Sequence, residues 1–246
     1  MKTILPVAVA AAASPAGAGD GVVLLHGLAR TPASMNRMAR VLASEGYAVV
    51  NIGYPSRQQP VPVLAESVIP AALAQCRSRG ADRIHFVTHS MGGILVRWYL
   101  EHHRVPELGR VVMLSPPNQG SEVVDKLADL PGFQWLNGPA GRQLGTGDDS
   151  LPRRLGPASF EVGILTGNRS VNPILSRLIP GPDDGKVAVS RARLEGMADF
   201  LVLPCSHPFI MRADAAIRQT LHFIAHGRFS RPKRLQGTPP AALPGT

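Results

Sequence analysis

Six short, largely apolar runs constrain this chain more than any other feature: Val22–His26, which has no polar alternation at all, Tyr47–Ile52, Arg83–Thr88, Arg110–Ser115, Val162–Thr166 and Phe200–Leu203. A strand with one wet face alternates apolar and polar residues, whereas a strand buried on both faces reads as a continuous apolar run. Parallel strands also need long crossovers, and helix-like stretches separate most of these runs. The pattern predicts an α/β architecture: a mostly parallel sheet of about six strands with helices on both faces.

The intervening stretches carry helix signals. Thr31-Pro32 supplies an N-cap and a proline at the first helical position, followed by the apolar stripe Met35, Met38, Val41 and Leu42 and a stop at Gly46. Val63–Arg79 reads as a helix kinked at Pro70, and Met91–His103 as another. Pro208 opens a last helix whose inner face is Ile210, Ala213, Ile217, Leu221 and Ile224. With 246 residues, 44 % of them hydrophobic and 17 % charged, the chain has material for one core and is not a disordered polymer.

Three segments stand apart from this core. Residues 1–18 combine Lys2, an apolar run from Ile4 to Ala13 and the small-residue site Ala16-Gly17-Ala18. The run is too short for the ~20 residues of a membrane span, so it predicts a cleaved export signal and a periplasmic or secreted protein starting at Gly19. Residues 118–158 form a glycine- and proline-rich stretch with one short helix near Ser121–Leu130, too long for a plain connection and placed to cap a site. The folded domain then spans 19–227, and residues 228–246 read as a basic, proline-rich disordered tail. The net charge of +9 suits weak attraction to an anionic membrane surface, while no nucleic-acid-binding motif accompanies it. Cys76 lies on a helical apolar stripe and Cys205 ends an apolar run, which favours two separately buried thiols over a disulfide.

The chemistry concentrates where the third run meets a helix. Thr88-His89-Ser90-Met91-Gly92-Gly93 places a serine at a sharp strand-to-helix turn, where small neighbours two residues away let the hydroxyl stand free. A helix starting at Met91 aims its dipole and the Met91 N–H at a developing oxyanion. A second donor should come from the loop after the first strand, His26-Gly27-Leu28, with the Leu28 N–H first and Ala29 next; His26 itself fixes that loop.

A serine hydroxyl needs a base. Of eight histidines, His85 and His89 flank the nucleophile strand, His102 and His103 lie at a helix end, and His222 and His226 belong to the last helix; all six read as structural or surface residues. His207, in Cys-Ser-His-Pro-Phe after the last strand, is presented by a loop at the same sheet edge as Ser90. The base needs an acid, and Asp183 or Asp184 in the turn-rich loop after the fifth strand gives the order Ser, Asp, His; Asp199 is the next candidate.

These motifs, in this order from Gly21 to His226, resemble the compact bacterial α/β-hydrolases of the lipase/esterase kind. His26-Gly27-Leu28 resembles their oxyanion loop, the Ser90 segment their nucleophile elbow, and Ser206-His207 their histidine loop. Asp184-Gly185-Lys186-Val187 looks like their acid loop, which favours Asp184 over Asp183. Ser115-Pro116-Pro117-Asn118-Gln119-Gly120-Ser121 is similar to their Pro-His-x-Gly-Ser segment with Asn118 in place of histidine, and Thr88 departs from G-x-S-x-G. The resemblance implies hydrolysis of small-molecule or lipid carboxylic esters with Ser90, Asp184 and His207, without cofactor or metal. The same side chains also serve acyltransferases, amidases and thioesterases. A scaffold that only binds is disfavoured by the complete catalytic set.

Overall fold

The computed structural model describes residues 19–127 and 132–231. The predicted export signal at 1–18 and residues 232–246 of the predicted tail lie outside them. Six strands form one sheet: β1 (Asp20–Leu25), β2 (Ala48–Ile52), β3 (Arg83–His89), β4 (Leu108–Leu114), β5 (Val162–Gly167) and β6 (Asp199–Leu203). Their spatial order is β2-β1-β3-β4-β5-β6, and every pairing is parallel.

The unbroken apolar run has the physical cause expected of it. In β1, Val23 and Leu25 face one core while Val22 and Leu24 face the other, and all four are fully buried. Helices α2 (Val61–Ser78) and α3 (Met91–His102) cover the first face; α1 (Asn36–Ser44) and α8 (Asp214–His226) cover the second. The edge strands β2 and β6 are only half-buried along most of their length. Four shorter helices complete the described chain: α4 (Glu122–Leu127), α5 (Phe133–Arg142), α6 (Leu151–Arg154) and α7 (Pro173–Ser176).

Several sequence expectations need correction. Thr31 makes no side-chain cap; it precedes a 3₁₀ turn at Pro32–Met35, and α1 begins only at Asn36. The last helix does not open at Pro208: a 3₁₀ turn at Ile210–Arg212 intervenes, and α8 starts at Asp214 with acidic charge in its first turn. Its buried face is Ala216, Ile217, Thr220, Phe223 and Ile224, so Phe223 takes the central place that periodicity assigned to Leu221.

Chain order also does not stop at Gly227. Phe229 is buried against Phe223 with ring centroids 5.0 Å apart, and Arg231 pairs with Asp199, so Arg228–Arg231 belong to the folded body. Cys76 is buried and its thiol is pushed up to about 11, chiefly by burial. Cys205 is only half-buried and packs on the opposite core, which separates the two thiols by the thickness of the sheet.

Candidate active site

The strand order reverses between β1 and β3, because the chain leaves β1 for the edge strand β2 and returns through α2 to the other side. In such sheets the crevice beyond the carboxyl ends of the strands at that switch is where ligands bind. The backbone confirms that something unusual happens there. Among the described residues three non-glycines have positive φ: Ala29 (55°), Ser90 (53°) and Ser115 (50°), just beyond the carboxyl ends of β1, β3 and β4. Such conformations cost of order 1–3 kcal/mol each and persist only where surrounding packing enforces them.

At Ser90 the enforcement is visible. The Ser90 N–H donates to the Leu114 carbonyl at 2.9 Å, and α3 starts at the next residue. A Cβ on Gly92 would lie 2.7 Å from the Leu25 carbonyl oxygen and 2.9 Å from that of His26. The requirement for glycine therefore comes from the neighbouring strand β1 rather than from Thr88. Thr88 itself is wholly buried in β3 and tolerated there. Gly27 is needed for a similar reason, since a Cβ would stand 2.8 Å from His89 Nδ1.

The residues singled out in sequence converge on this turn. The His207 Nε2 lies 3.1 Å from the Ser90 hydroxyl, and the His207 Nδ1–H donates to Asp184 Oδ2 at 2.9 Å. Asp184 is fully buried, and its Oδ1 accepts the N–H groups of Lys186 (3.0 Å) and Val187 (2.9 Å). Burial alone works to raise this carboxyl. The His207 imidazole and the Val187 N–H outweigh it and hold the group below its ordinary value. The backbone closes the same circuit, with the His207 N–H donating to the Asp184 carbonyl at 2.8 Å.

Asp183 has a different task. Its Oδ1 accepts the Ser176 hydroxyl (2.8 Å) and the Gly185 N–H (2.7 Å), which ties α7 to the loop. It is only 9 % exposed, because α7 folds over it. Asp199 sits at the opposite end of the sheet, at the start of β6, with its carboxylate on Arg231 and the Phe229 N–H.

The donors opposite Ser90 also sort themselves. The Ala29 N–H is committed to the Ser56 hydroxyl at 3.0 Å, and the Arg30 N–H to the Gly27 carbonyl at 3.2 Å. The Leu28 N–H has no such partner among the described residues, and the first N–H groups of a helix, Met91 among them, have no intrahelical acceptor. His26 stacks on Tyr54 with ring centroids 4.1 Å apart, and its Nδ1–H donates to the Gly27 carbonyl, while the Tyr54 hydroxyl donates to the His26 carbonyl.

Three supporting residues were not legible as such. His89 donates its Nε2–H to the His207 carbonyl at 3.0 Å, and burial above all keeps its ring neutral. Arg97 on α3 is 4 % exposed and donates to the carbonyls of Asn118, Leu155 and Gly156 at 2.8, 3.0 and 3.2 Å, with Pro152 at 3.3 Å. It thereby fastens both ends of the 118–158 segment to the helix that follows Ser90. Asn118 accepts from Arg97 and donates to the Ala192 carbonyl at 2.9 Å, so the departure from histidine serves this hub.

Residues 22–241 match the profile of the alpha/beta hydrolase family. The chain belongs to that family. Among solved structures, this hydrolase is similar to a lipase of Bacillus licheniformis in its mature form, with a TM-score of 0.66, 19 % identity, and coverage of 86 % of this chain and 94 % of the other. It is also similar to a metagenomic carboxyl esterase (TM-score 0.53, 19 % identity, 80 % and 67 % covered). Phospholipase PlaB from Legionella pneumophila shares the fold over 71 % of this chain and 45 % of its own, at a TM-score of 0.55 and 18 % identity. No curated protein matches the hydrolase in sequence.

The pocket in front of Ser90 is small, about 70 Å³, and its walls include Leu28, Val123, Val124, Leu144 and Val187 beside Ser90 and His207. Val123, Val124 and Leu144 come from the 118–158 segment.

Proposed function

We propose that this hydrolase cleaves carboxylic esters with short acyl chains through an acyl-enzyme on Ser90. The observation that carries the reading is the continuous relay from Ser90 Oγ through His207 to the buried Asp184 carboxylate. Attack of Oγ on the ester carbonyl passes the hydroxyl proton to His207 Nε2. Asp184 holds the tautomer that makes this possible and stabilises the resulting imidazolium. The Leu28 and Met91 N–H groups receive the oxyanion. Collapse breaks the ester C–O bond and His207 returns the proton to the leaving alcohol. A water then repeats the sequence, with His207 taking its proton, and frees the acid and Ser90.

The acyl-chain preference follows from the pocket: about 70 Å³ lined by valine and leucine suits a few carbons, well short of the several hundred Å³ of a site for a large ligand. In this reading the 118–158 segment is a cap, Arg97 its anchor, and residues 1–18 an export signal that delivers the enzyme to the periplasm or medium, where its positive charge favours anionic surfaces.

The test is an ester panel of increasing acyl length with a fluorophosphonate probe on the parent and Ser90→Ala. The parent should be labelled and prefer short chains. Ser90→Ala should lose labelling and about 10⁶ in kcat. Residual turnover within tenfold of the parent refutes the nucleophile, and a preference for long chains refutes the pocket reading.

A further inference from the structure

Two cations line this pocket with no ion-pair partner among the described residues. Arg30 follows the oxyanion loop, and Lys186 lies in the acid loop; both line the pocket together with Ser90 and His207. Their backbones are fixed. The Arg30 N–H closes on Gly27, the Lys186 N–H donates to Asp184 Oδ1, and the Ser121 hydroxyl donates to the Lys186 carbonyl at 2.6 Å. Their charged ends are not neutralised: among the described residues neither side chain takes part in an ion pair. The acid whose field reaches Lys186 is Asp184, whose two oxygens are already engaged.

Positive charge gathered on a pocket with no unengaged acidic partner among the described residues is disfavoured in the free protein and relieved by an anionic ligand. Lys186 is solvent-exposed overall, yet desolvation of its ammonium first, and then the field of Arg30, hold it below its ordinary value. Arg30 in turn is depressed by burial and by Arg212. Both cations also act on His89, directly behind His207.

Resting on the ester-hydrolase reading above, we infer that Arg30 and Lys186 select esters carrying a negatively charged group, a carboxylate or a phosphate, a few bonds from the scissile carbonyl. The anion meets the guanidinium and the ammonium while the ester carbonyl lies against Ser90. Arg30 contributes a planar fork suited to two oxygens of one group, and Lys186 a point charge.

Two pairs of soluble substrates test this and distinguish the source of the charge. A 4-nitrophenyl hemiester of glutaric acid is compared with its neutral methyl ester, and monobutyryl glycerol 3-phosphate with monobutyrylglycerol. The parent should favour the anionic member of at least one pair by roughly tenfold or more in kcat/KM, a ratio that shrinks as salt is raised. The carboxylate pair identifies a soluble acid-bearing ester, the phosphate pair a glycerophospholipid-like one. Arg30→Gln and Lys186→Gln should each lower the ratio, and the double variant should bring it to about one. Equal rates within both pairs, or a preference that survives the double variant, overturn the inference while leaving ester hydrolysis intact. Failure to hydrolyse any ester, together with no probe labelling at Ser90, overturns the underlying reading and this inference with it.

Discussion

Neutralising Asp184 separates the two adjacent carboxylates by their hydrogen bonds alone. Asp184 accepts three: His207 Nδ1–H on one oxygen, and the Lys186 and Val187 N–H groups on the other. Asparagine has one acceptor oxygen and one donor amide. If that oxygen stays with the two backbone donors, the amide faces His207 Nδ1, which must become the acceptor. Nε2 then carries the proton and points it at Ser90, so no base remains. Turning the amide over restores the working tautomer but leaves two buried N–H groups against an NH₂, at about 2–6 kcal/mol for the pair. Only a minor population, of order 10⁻³, then has a competent base. Asp184→Asn should therefore lower kcat by about 10³ to 10⁴ with near-normal KM. Asp183→Asn keeps an oxygen for Ser176 and Gly185, and should change kcat by less than about threefold. Initial rates on a short-chain 4-nitrophenyl ester, with thermal melts to verify folding, decide the matter. Equal and mild effects would refute the assignment of the acid, and the opposite order would transfer the role to Asp183.

Three further outcomes follow from the same geometry. Arg97→Met leaves buried carbonyls of Asn118, Pro152 and Leu155 without a donor and should cost about 3 kcal/mol, a fall of roughly 6–12 °C in Tm; a shift under about 2 °C would mean that the segment is held by other contacts. Gly92→Ala drives a methyl into the Leu25 and His26 carbonyls, so it should cost about 1–3 kcal/mol and slow probe labelling of Ser90, and unchanged labelling would contradict the close approach. Acid should destabilise the fold through buried neutral histidines. His85 is depressed from 6.5 to about 4, chiefly by burial, so its contribution is complete above pH 6.5 and is lost as pH falls toward 4. The loss should be about 3 kcal/mol in urea midpoints, with His26 and His89 acting in the same direction, and a flat stability profile across that window would refute it.

What the sequence determined by itself is what short-range physics controls. Apolar runs at crossover spacing point to the strands of a parallel sheet, and the structure has six of them, the inner four buried along most of their length and the two edge strands half-buried. A small-residue turn joining a strand to a helix marks Ser90 because the steric demand is local, and the loop before the last helix marks His207 because such a loop opens on the same sheet edge. The resemblance to a known family ordered these pieces, and the matched profile agrees.

What only the tertiary structure decided has its partners far along the chain. Both Asp183 and Asp184 sit in one turn with identical local propensities; their difference arises because His207 docks on one and Ser176 on the other. The late start of α8 depends on the 3₁₀ turn after His207, which periodicity cannot distinguish from a first helical turn. Phe229 looked like part of a tail because basic and proline-rich neighbours dilute its signal, yet it is buried against Phe223. Nothing in the local sequence marks Arg97, which becomes a buried hub only because the ends of a long insertion fold back over α3. In each case a side chain's role is set by which distant backbone atoms it satisfies, and burying polar groups without partners is too costly for the arrangement to be arbitrary.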